Sequence, residues 1–83
     1  MTKFSLAILK VLNDNDIKSA SKALSISQVL KLMSEKQRKS YSTTYRHLQN
    51  MVAQGYIKCG LCDELASTYF ITDTGKSFCK EQD

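Results

Sequence analysis

The spacing of apolar residues changes at Gly55, and that change limits the folds open to this chain. Upstream, apolar residues recur three and four positions apart, as on one face of a helix. Downstream, "YIKCGLC" and "STYFIT" are aromatic- and β-branched-rich segments of period two. A chain built in this order folds as an α+β unit. At 83 residues there is room for one domain, spanning 1–83, with one modest core and no deep catalytic cleft.

Residues 2–13, "TKFSLAILKVLN", place Phe4, Ala7, Ile8, Val11 and Leu12 at helical spacing, with Thr2 as N-cap and an Asn-Asp-Asn-Asp run as the stop. Residues 17–24 have no clean period and suggest a short turn or partial helix before an extended piece at "LSI". Ser25 or Ser27 then caps a second helix carrying Val29, Leu30 and Met33, and "SEKQRKS" forms a turn. The third helix covers about residues 41–54. Tyr41, Thr44, Tyr45, Leu48, Met51 and Val52 gather on one side, and Ser42, Thr43, Arg46 and Asn50 on the other. Ser40 or Ser42 is its N-cap, and Gly55 supplies the left-handed residue that closes it and folds Tyr56 back. A two-stranded hairpin with a polar "DE" tip follows, and Thr72 caps a short last helix anchored by Phe78.

Charge is segregated. The formal net charge is +4, yet no Asp or Glu occurs between Glu35 and Asp63, a window holding Lys36, Arg38, Lys39, Arg46, Lys58 and His47. Such an arrangement makes one basic surface, suited to a phosphate backbone or an acidic partner. The longest apolar stretch, "LAILKVL", is far short of a bilayer span, and no small-residue cleavage site follows it, so a cytoplasmic protein without a membrane segment is expected. Three cysteines, Cys59, Cys62 and Cys79, are an odd number without secretory context, which favours reduced thiols. Without a Ser-His-Asp set, paired catalytic carboxylates, a phosphate-cradling glycine loop or HExxH, neither an enzyme nor a cofactor is expected.

The third helix and the hairpin together, "STTYRHLQNMVAQGYI" and then "YFITDTGKSF", resemble the winged helix-turn-helix of bacterial transcriptional regulators, particularly the PadR and MarR-like groups. The matching residues are Thr43, Tyr45, Arg46, Leu48, Met51, Gly55 and Ile57, followed by Tyr69, Ile71, Thr72 and Gly75, within a resemblance covering residues 4–79. What it implies is a three-helix core, a two-stranded β-hairpin wing and a short C-terminal helix, binding double-stranded DNA sequence-specifically with the third helix in the major groove.

Side-chain chemistry is compatible with that role. Thr43 and Ser42 can meet phosphates or a thymine methyl, Arg46 can bridge guanine O6 and N7, and Asn50 can pair with adenine. Lys36, Arg38 and Lys39 suit backbone phosphates, and Lys58 an adjacent groove, although Asp63 and Glu64 at the hairpin tip would repel DNA. Tyr45 flanks the core stripe and is open to packing or to DNA contact. Tyr41 and Tyr69 are assigned to the core, and His47 to the edge of the outer face. A homodimer would use the first helix or the C-terminal tail. Two other functions stay open: a winged-helix module that binds a partner protein, and a thiol- or metal-responsive regulator using Cys59 and Cys62, whose CxxC spacing alone is a weak zinc signal.

Overall fold

Thr2 starts the first helix as its hydroxyl chemistry dictates, accepting the Ser5 N–H at 3.1 Å, and α1 runs Lys3–Asp14. The computed structural model describes residues 2–61 and 67–82. A single 3₁₀ turn, Ala20–Lys22, leads into strand β1, Leu24–Ser25. Ser25 then opens α2, Ile26–Leu32, through a reciprocal cap. Its hydroxyl accepts the Gln28 N–H at 3.3 Å, while the Gln28 side-chain oxygen accepts the Ser25 N–H at 2.9 Å. Helix α3, Tyr41–Ala53, follows an exposed connection, and then come β2, Ile57–Cys59, β3, Thr68–Ile71, and α4, Asp73–Gln82.

The sheet corrects the expected two-stranded hairpin. Three antiparallel strands lie in the order β1-β3-β2, because Leu24 and Ser25 pair with Tyr69 and Thr68 on the far edge of β3. A two-residue strand is too short to have a period, so no pattern in the sequence announces it. On the other edge Ile57, Lys58 and Cys59 face Ile71, Phe70 and Tyr69. Tyr69 therefore sits in the central strand between Leu24 and Cys59 and is wholly buried.

One core gathers the inward faces of the four helices and of β2 and β3. Helix α1 gives Phe4, Ile8, Leu9 and Leu12, and the second helix and its exit give Ile26, Val29 and Met33. Leu48 and Met51 come from α3, Ile57, Tyr69 and Ile71 from the sheet, and Cys79 from α4. Each fully buried aliphatic side chain among these contributes about 1.5–3 kcal/mol. Tyr41 is a correction. It belongs to the apolar stripe by spacing but stands 54% exposed at the first position of α3, before the core begins at Thr44. Among the described residues no helix is long and apolar enough to cross a membrane.

Candidate functional site

Both ends of α3 are fixed by local chemistry. At the amino end the Ser40 hydroxyl accepts the Thr43 N–H at 3.2 Å and donates to the Thr43 hydroxyl at 2.9 Å, while buried Thr44 donates to the Ser40 carbonyl at 2.8 Å. At the carboxyl end Gly55 adopts φ 85°, and the Gly55 and Tyr56 N–H groups return to the Val52 and Met51 carbonyls at 3.0 and 3.1 Å. This pair of bonds is a Schellman closure, which glycine favours because it carries no Cβ in the left-handed region.

A second lock comes from Thr72. Its hydroxyl donates to the carbonyls of Gly55 (2.6 Å) and Tyr56 (3.0 Å), and accepts the Gly75 N–H at 3.1 Å to cap α4. Gly75 has to be glycine here: a Cβ on it would run into the Tyr56 carbonyl oxygen and lie 2.7 Å from the Ile71 side chain. Gln49 ties α3 to the central strand, its amide donating to the Tyr69 phenol at 3.1 Å. Burial pushes that phenol's pKa up, as does Cys59, and the Gln49 hydrogen bond pulls against both.

Held in this way, α3 turns Ser42, Arg46 and Asn50 outward, one turn apart, and all three are exposed. Tyr45 stands on the flank at 46% exposure, so its ring is not part of the core. Thr43 is half-buried, and its hydroxyl accepts from Ser40, which leaves its own proton to donate.

His47 is a correction. It is half-buried against α1, with Nδ1 2.9 Å from the Ser5 hydroxyl and its ring edge-on to Phe4 at 4.9 Å. Thr2 donates to the Ser5 hydroxyl at 3.1 Å, which extends the contact to the N-cap of α1. Burial lowers the His47 pKa, and the charges of Lys39 and Arg46 lower it further. The histidine is thus a fastening between two helices, a role hidden in the sequence because Ser5 lies at the other end of the helical half.

The basic residues divide as well. Arg38 folds back on the carboxyl end of α2, donating to the Met33 carbonyl at 3.1 Å and the Lys31 carbonyl at 3.4 Å, where a cation also opposes the helix dipole. Lys36 and Lys39 are exposed in the connection before α3. The Lys39 ammonium lies over the Phe4 ring, 5.5 Å from its centre. Lys3 joins them around one hollow, a residue that no charge run in the sequence connects with that site. Lys58 belongs to a different patch, a hollow lined by Lys18, Phe70, Thr72, Asp73 and Lys76 that contains no α3 residue.

Cys59 is half-buried in β2 and Cys79 is buried in the core. Cys62, the other half of the CxxC pair, lies outside the described residues, as do Asp63 and Glu64 of the hairpin tip. Among the described residues no three His, Cys, Asp or Glu side chains are grouped to hold a metal ion. No family model matches this chain, and no curated protein matches it.

Proposed function

We propose that this chain is a winged helix-turn-helix domain that binds double-stranded DNA sequence-specifically as a transcriptional regulator in the cytoplasm, with α3 entering the major groove. What carries the proposal is the outward row of Ser42, Arg46 and Asn50, set in a segment without an acidic residue from 36 to 62. The order of helices and the β1-β3-β2 sheet are compatible with such a fold. Arg46 is the base-reading residue, through bidentate bonds to guanine, and Lys36 and Lys39 hold phosphates and set the register. Arg38 acts by shaping the α2–α3 connection.

Selection of bound sequences from a pool of random duplexes, repeated across a salt series, tests this. The expected result is salt-sensitive binding that enriches one short motif. Arg46→Ala should then weaken binding to that motif by about 1–3 kcal/mol while sparing random DNA. Absence of binding at low salt would refute the proposal.

One observation favours a second function, that of a module docking on a partner protein. Tyr41, Tyr45 and Leu32 are large apolar side chains at 54%, 46% and 48% exposure, more than a phosphate-binding face requires. Capture of a protein partner lost in Tyr45→Ala, together with failure to bind DNA, would establish that alternative.

A further inference from the structure

The first turn of α1 and the α2–α3 connection enclose a hollow of about 260 Å³ lined by Lys3, Phe4, Ala7, Lys36, Gln37 and Lys39. No acidic side chain lines it, and α1 has no acid in its first turn. Three lysines line one concavity, and an anion seated between them relieves the mutual repulsion of their charges. One of the three is already in place, because the Lys39 ammonium rests over the Phe4 ring.

The lining also has a second chemistry. Between the lysines lie the carbons of Phe4 and Ala7, and beside them the side-chain amide of Gln37. A bare inorganic anion would use the cations and leave the apolar floor unmatched. A sugar–phosphate unit matches both, with phosphate oxygens on the ammonium groups and the amide, and the carbons of deoxyribose on half-buried Ala7 and the small part of Phe4 that reaches the surface. Location agrees with chemistry: Lys39 directly precedes Ser40, the N-cap of α3.

We infer that this hollow seats one phosphate and its deoxyribose from the DNA strand flanking the groove that α3 enters, so that the first turn of α1 is a second, sequence-independent part of the interface. The inference rests on the DNA-binding function proposed above and adds Lys3 to it. Lysine suits the task, since a flexible point charge neutralises a phosphate without reading a base.

The test is DNA binding by fluorescence anisotropy across a salt series, on the selected motif and on random duplex, for the wild-type chain, Lys3→Gln and Lys80→Gln. Lys80 shares a hollow with Asn13 at the opposite end of α1 and serves as the control. Lys3→Gln should reduce the slope of log affinity against log salt by about 0.9, the value for one phosphate contact, and lower affinity equally on both DNAs. Lys80→Gln should leave the slope unchanged. In a parallel NMR titration with the duplex, the amides of Lys3, Phe4 and Ala7 should shift. An unchanged slope for Lys3→Gln, with wild-type binding intact, overturns the inference and spares the role of α3. A loss confined to the motif makes Lys3 a base reader and also overturns it. A wild-type chain that binds no DNA removes both.

Discussion

The two ends of α3 are fastened by different means. From its amino end to its middle the fastenings are side chains: the Ser40 hydroxyl, buried Thr44 on the Ser40 carbonyl, half-buried His47 against Ser5 and, just before the helix, Lys39 over Phe4. At its carboxyl end they are mainly backbone: a left-handed glycine, two returning N–H bonds, and carbonyls held by Thr72 under the first turn of α4. A joint that includes a titratable histidine and an exposed lysine responds to pH, salt and an arriving anion. One made of backbone geometry does not, and it gives the amino end a fixed base from which to respond.

Three substitutions test that contrast. The largest effect is expected at the carboxyl end, where Gly75→Ala forces a methyl group against the Tyr56 carbonyl and should lower stability in urea unfolding by about 1–3 kcal/mol. The upper part of that range is expected because the atom met is backbone and cannot swing aside. Ser40→Ala, which removes the amino-end cap, should cost about 1 kcal/mol. If Ser40→Ala proves the more damaging of the two, the carboxyl end is not the firmer joint.

The smallest effect concerns pH. The His47 pKa is lowered from its ordinary value of 6.5, so between that value and its folded one the unfolded chain binds more protons than the folded chain. Stability from neutral His47 is therefore fully present above pH 6.5 and declines as pH falls through that window. His47→Gln should flatten this part of the stability profile, as followed by unfolding at a series of pH values. A profile with the same slope in the variant would assign the pH dependence elsewhere.

How much of this was legible in the sequence depended on range. Thr2, Ser25, Ser40 and Gly55 act within four residues of themselves, so capping chemistry places Thr2 and Gly55 outright and narrows the other two caps to Ser25 or Ser27 and Ser40 or Ser42. Tyr41 shows where spacing stops being informative: a helical wheel gives the direction of a side chain, but not whether the core extends far enough along the axis to cover it. Strand β1, the Ser5–His47 bond and the place of Lys3 depend on contacts between distant parts of the chain. Arg38 and Lys58 are cations in an acid-free window, and charge counting cannot distinguish a guanidinium folded onto a helix end, or an ammonium on another patch, from one left facing outward. The helical scaffold and the outward row of α3 were thus readable, while the partition of the basic residues was not.

Thr72 has a consequence for how the molecule opens. One hydroxyl joins the two residues that close α3 to the first turn of α4, so undocking α4 at once exposes the carbonyls of Gly55 and Tyr56 and releases the Gly75 amide. The two helix ends cannot fray separately. In native-state hydrogen exchange the amides of Tyr56, Thr72 and Gly75 should share one opening free energy, as members of a single cooperative unit. The last helix is in that sense a bolt on the third, and its removal would be felt first at the corner where helices give way to the sheet.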